Sequence, residues 1–183
     1  MQHFRLNKTS VMIMLLPLLL FANHTLAESL TNSQLNAVRS AKSYLDTQSF
    51  SKRGLIDQLS SRVGSGYTVH EATVAVDSLH IDWEKEAVRS AKSFLDTQSF
   101  SKRGLIDQLS SRAGSGYTVH EATMAVDSLH VDWNKEAARS ARDYLEIARL
   151  SCRRLINQLS SRAGSGYTVS QADYGAQKAG ACK

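Results

Sequence analysis

AVRSAKSYLDTQSFSKRGLIDQLSSRVGSGYTVHEATVAVDSLHIDWEKE runs from Ala37 to Glu86 and returns at 87–136 with changes only at Tyr44/Phe94, Val63/Ala113, Val74/Met124, Ile81/Val131 and Glu84/Asn134. Four of those five keep an apolar or aromatic side chain, as expected at packed positions. A shorter, more divergent third copy begins at Ala137. Self-similarity with a period of 50 residues means one supersecondary unit used three times, each copy completing its neighbour's core. The expected organisation is a lead-in at 28–36, then repeats at 37–86, 87–136 and 137–183.

Within a unit the pattern predicts three helices, so the fold class is all-α: three tandem three-helix, helix-turn-helix-like repeats. Ala37, Ala41, Tyr44 and Leu45 fall on one face of a helix from about Ser33 to Gln48. Ser51 is placed to cap a second helix carrying Leu55, Ile56, Leu59 and Val63. Val69, Ala72, Val76 and Leu79 form the apolar face of a third. No segment alternates with the period of a half-buried strand, and no proline follows Pro17 to break a helix.

The stretch GSGYT, at 64–68, 114–118 and 164–168, is either a phosphate-cradling loop or a bend. Phosphate loops follow a strand and carry GxGxxG or GxxxxGK[ST]; here the glycines follow a helix and neither spacing is met. The bend reading accounts for each residue. Gly64, Gly114 and Gly164 stand where a helix end favours a left-handed residue, and Gly66, Gly116 and Gly166 give a second permissive position. Thr68, Thr118 and Thr168 then cap the third helix, with Glu71, Glu121 or Gln171 completing a capping box. Tyr67, Tyr117 and Tyr167 precede the caps, where a hydrophobic staple would pack on Ala72 and its equivalents.

Residues 1–27 carry Arg5 and Lys8, the apolar run 11–22 broken only by Pro17, then small residues at Thr25 and Ala27. That order is expected of a secretory signal peptide cleaved after Ala27. No cysteine stands directly after the expected cleavage site, so no lipid anchor is expected. The mature chain would be exported, to a periplasm or to the cell surface and medium. Removing the leader's two basic residues takes the net charge from +5 to +3, weak for a nucleic-acid binder. The charge is uneven: residues 37–86 sum to −1, 87–136 to zero and 137–183 to +5.

Chemistry-bearing patterns are sparse. His70 and His80, with His120 and His130, are ten residues apart and do not complete HExxH, so no metal site is expected. Ser60 and Ser61 lack a His and Asp at any recognisable spacing, so no catalytic residue is assigned. Nothing calls for a cofactor or a small-molecule substrate. Helix-turn-helix shape could suggest DNA, but export and near-neutral first units argue against nucleic acid as a partner.

Cys152 and Cys182 stand in register with Lys52 and Asp82, and with Lys102 and Asp132. Opposite charges in two copies and two cysteines in the third point to one spatial contact and, in an exported chain, to a disulfide. Two unpaired thiols or a link between chains are the alternatives. Trp83 and Trp133 lie at the two junctions, where an indole would fill the seam between units or anchor a partner.

The combination of EAVRSAKSFLDTQSFSKRGLIDQLSSR, GYTVHEATMAVDSL and DWNKEA resembles the Ltp family, host cell surface-exposed lipoproteins with helix-turn-helix-like repeats, over residues 37–177. The resemblance implies a repeat protein that binds another protein and excludes a second phage by blocking DNA injection, with the phage tape measure protein as its target. An envelope structural or adhesive module with a non-phage protein partner is the alternative reading.

Overall fold

A computed structural model describes residues 29–182. The expected signal peptide lies outside the described residues. Among these, nine α-helices and no strand are present: α1 (Asn32–Thr47), α2 (Lys52–Ser60), α3 (Val69–Ser78), α4 (Trp83–Thr97), α5 (Lys102–Ser110), α6 (Val119–Ser128), α7 (Trp133–Ile147), α8 (Cys152–Ser160) and α9 (Val169–Lys178). The protein is all-α, three repeats of about 50 residues, and none of the described helices is long and apolar enough to cross a membrane.

Each helix start is written into its residues. Thr31, Thr68, Thr118 and Thr168 form capping boxes with Gln34, Glu71, Glu121 and Gln171, satisfying donors at the helix N-terminus. Asp82 and Asp132 cap α4 and α7. The α3 and α6 ends are less expected: His80 and His130 adopt the left-handed backbone, φ 49° and 50°, where the third unit has Gly180 at φ 81°. An L side chain is strained there. The glycine at the same register in the third copy is the sequence signal for this corner.

Each unit has its own apolar core. Ala41, Leu55, Leu59, Ala72 and Val76 form that of the first, and Ala91, Leu105, Leu109, Ala122 and Val126 occupy the same positions in the second. Ala141, Leu155, Leu159, Ala172 and Ala176 do so in the third. Alanine lets the first and third helices approach closely. Each fully buried leucine contributes about 1.5–3 kcal/mol.

Three sequence expectations are corrected. The cores are largely separate; the next unit's first helix adds mainly one indole, because Trp83 at the start of α4 packs back on the first core and Trp133 at the start of α7 on the second. Val63 does not belong to the buried face of α2. That helix ends at Ser60, and Val63 is 99% exposed in the turn beyond it, so its exchange with Ala113 reflects a surface position. Val69 is the first residue of α3 and points outward, while Ala75 takes the buried place.

Candidate functional site

The GSGYT corner is organised by the serine at the end of the second helix. The Gly64 N–H donates to the Ser61 carbonyl at 3.1 Å and to Ser61 Oγ at 2.8 Å, and the Gly66 N–H reaches the same carbonyl at 3.1 Å. Ser111 and Ser161 do the same for their copies. The left-handed residue is Gly66, at φ 71°, with Gly116 and Gly166 alike. Gly64 is required for a different reason than its expected left-handed backbone: a Cβ there would lie 1.8 Å from the Gln58 carbonyl oxygen, and Gly114 and Gly164 are as tightly placed. The chain folds back so closely on the last turn of α2 that no side chain fits.

This corner is also the joint between units. Ser51 caps α2 by accepting from the Gly54 N–H at 2.9 Å, and its hydroxyl donates to the Ser115 carbonyl of the next corner at 2.6 Å. Ser101 repeats both bonds, with Gly104 at 2.9 Å and Ser165 at 2.6 Å. Both serines are only 2% exposed. Two further contacts close the seam. Arg89 binds the carboxylate of Glu86, itself 8% exposed, and reaches across to the Leu45 carbonyl at 3.3 Å. Arg139 does the same with Glu136 and the Leu95 carbonyl, at 3.0 Å each. A buried carboxylate is costly unless paired, and these arginines pair it while clamping the neighbouring helix end.

Beside each joint a shallow cleft opens. The first is lined by Lys52, Arg53, Ile56, Gly116, Tyr117, Thr118 and Glu121, the second by Lys102, Arg103, Ile106, Trp133, Gly166, Thr168 and Gln171. Sequence reasoning treated the corner as local geometry; the contact of Ser51 with residue 115 spans 64 positions and has no local signature.

The corner tyrosines behave differently along the array. Tyr67 is partly exposed and its hydroxyl lies 3.2 Å from Ser40 Oγ. Tyr117 and Tyr167 bury their hydroxyls beside Ser90 and Ser140, with no partner in bonding geometry among the described residues. Burial, which disfavours phenolate, pushes Tyr117 up to about 12 and raises Tyr167 as well.

The cysteines are joined: Cys152 and Cys182 form a disulfide with their Cα atoms 4.8 Å apart. The matching charged pair differs from the sequence expectation. Lys52 bonds Asp77 at 2.6 Å and Lys102 bonds Asp127 at 2.5 Å, not Asp82 and Asp132, whose carboxylates are committed to capping α4 and α7. In the third unit Gln177 replaces Asp77, so both members of that pair are gone and the disulfide stands there instead.

The histidines are held apart. His70 and His120 sit in the first turns of α3 and α6, while His80 and His130 lie just beyond their far ends, with Nδ1 3.0 and 2.8 Å from the carbonyls of Ser78 and Ser128. Among the described residues no group of three or more His, Cys, Asp or Glu is placed to hold a metal ion. What the surface offers beside the joints is cationic side chains and shallow clefts.

Residues 32–79, 82–129 and 132–178 each match a protein family described as host cell surface-exposed lipoprotein. A comparison with curated proteins gives no match. Among solved structures, the chain is similar to that of Ltp, a superinfection exclusion protein from the Streptococcus thermophilus temperate phage TP-J34. The identity is 33%, over 54% of this chain and 97% of that one, with a TM-score of 0.49.

Proposed function

The chain belongs to the Ltp family of host cell surface-exposed lipoproteins, and from that premise we propose that it is an exported binding protein that excludes a second phage from its host. The observation that carries this reading is the tiling of the described residues by three family matches, one per helical unit, with little left over for another activity. The target is a phage protein needed for DNA entry, the tape measure protein being the one the family implies, and the action is binding without catalysis.

Two features support that reading. The leader-like residues 1–27 would deliver the chain to the envelope, where injection takes place. Several reactive side chains serve structure: Ser51, Ser101 and Ser111 organise joints and corners, and Cys152 and Cys182 are bonded to each other. The test is to express the gene in a phage-sensitive host and score adsorption and DNA injection separately. Normal adsorption with blocked injection is expected. Unchanged plaque formation across a broad phage panel overturns the reading.

A further inference from the structure

In units 1 and 2 the N-terminal end of the second helix is an interface, covered by the corner of the next unit. Among the described residues no unit covers the same surface in the third: Ser151 is exposed and makes no side-chain cap bond, whereas Ser51 and Ser101 are buried. Its surroundings also differ from those of the internal copies. Thr47 and Thr97 become Ile147, which is 81% exposed; Ser49 and Ser99 become Arg149; Gly54 and Gly104 become Arg154. Arg53 and Arg103 each pair with an aspartate one turn on, at 3.5 Å, but in the third copy that aspartate is Asn157, so Arg153 loses its intrahelical carboxylate. Three exposed arginines and an exposed isoleucine therefore surround a surface that elsewhere in the molecule receives another segment's backbone carbonyl.

We infer that this C-terminal end, formed by Ile147, Arg149, Ser151, Arg153 and Arg154, docks an acidic segment of a protein partner. The inference rests on the reading of the chain as a protein binder. The internal joints show what the surface accepts: an oxygen on the hydroxyl at the helix end, where Ser51 takes Ser115 and Ser101 takes Ser165. The substitutions show which kind of oxygen the open end favours, since arginine binds carboxylate with paired, charge-assisted bonds. A second copy of the chain fits that preference less well. Its free corner keeps Glu71 where the first joint has Glu121, but it has Asn36 where the joints have Glu86 and Glu136, with Arg39 beside it.

The test uses the purified full chain with its disulfide intact and poly-L-glutamate as probe, followed by backbone amide NMR at low salt. Shifts concentrated on residues 147–154 are expected. Arg149→Ser, Arg154→Gly and Asn157→Asp together restore the residues of the internal units. This variant should bind at least tenfold more weakly with a melting temperature within a few degrees of the parent. Binding unchanged in the variant, shifts spread evenly over Arg62, Arg112 and Arg162, or tighter binding of duplex DNA at the same residues each overturns the assignment. No phage enters this experiment. Failure of the wild-type chain to exclude any phage would sink the exclusion reading alone, and unperturbed residues 147–154 would sink the docking surface alone.

Discussion

Ser101 and Ser151 hold the same register position and nearly the same backbone, φ −76° and ψ 159° against φ −70° and ψ 156°, yet only one of them is tied down. Ser101 is buried, caps its helix and bonds the next corner; Ser151 is exposed and does neither. Local sequence dictates the helix start in both places, but the hydrogen bonds that make the position stabilising come from the neighbouring unit. Among the described residues no further unit covers the third, whose stabilising contacts therefore come from within it. The third unit has two such sources: its disulfide, and the close approach of α9 to α7 allowed by Gly175.

The largest effect that would break this comparison is on the disulfide. Closing a loop across the 30-residue separation of Cys152 and Cys182 contributes about 3–4 kcal/mol by chain entropy. The Cys152→Ser, Cys182→Ser double variant should lose that much in urea denaturation, with the loss confined to the third unit in hydrogen exchange. Lys52→Ala, which removes the half-exposed ion pair at the same register of the first unit, should cost less than about 1 kcal/mol. Equal losses from the two changes would mean that the end unit is not specially stapled.

Next is Gly175. Its Cβ would lie 2.6 Å from the Ala137 carbonyl oxygen, while units 1 and 2 carry Ala75 and Ala125 at this register, both buried without difficulty. Gly175→Ala should therefore destabilise by about 1–3 kcal/mol through overpacking, despite alanine's better helix propensity. In Ala125→Gly the cost should be about 1 kcal/mol, from backbone entropy. A stabilising Gly175→Ala, read from the urea midpoint, would show that α7 and α9 have room to part.

These two sites also mark how far the sequence could be read. The period, the three helices and the capping boxes were legible because each is a local pattern repeated three times. The pairing of Cys152 with Cys182 followed from comparing registers, though the partner of Lys52 did not, because Asp82 is the nearer match in register but is spent on the cap of α4. The reason for Gly64 was out of reach: glycine for a left-handed φ and glycine for a close backbone approach look identical in sequence. The joint was hidden too, since a hydroxyl bonding a carbonyl 64 residues away leaves no trace in either segment. The left-handed backbone at His80 and His130 was not anticipated either, although Gly180 at the same register carried its signal.

A third pair of variants sharpens the comparison directly. Ser101→Ala removes a helix cap and a buried bond between units and should cost about 1–2 kcal/mol. At Ser151 no side-chain cap bond is present, and Ser151→Ala should stay within about 0.5 kcal/mol. Matched thermal melts decide the point: equal destabilisation would show that the cap alone matters and that the joint contributes nothing.

The smallest effect at neutral pH is confined to the corners of units 2 and 3, each of which packs on the unit before it. Tyr117 titrates at about 12 instead of 10.0 because burial disfavours its phenolate. A raised pKa in the folded chain favours the protonated form, so its contribution is fully present below pH 10 and is lost as pH rises through about 12. Tyr167 is shifted in the same direction, whereas Tyr67 is partly exposed, with its hydroxyl beside Ser40. Tyr117→Phe with Tyr167→Phe should change stability at pH 7 by no more than about 1 kcal/mol, and toward higher stability, because the hydroxyls removed are buried without a bonded partner. Above pH 10 the double variant should hold its melting temperature while the parent falls. A parallel alkaline decline in both would place the lost stability outside the two buried corners, and Tyr67→Phe, which leaves those corners intact, should track the parent throughout.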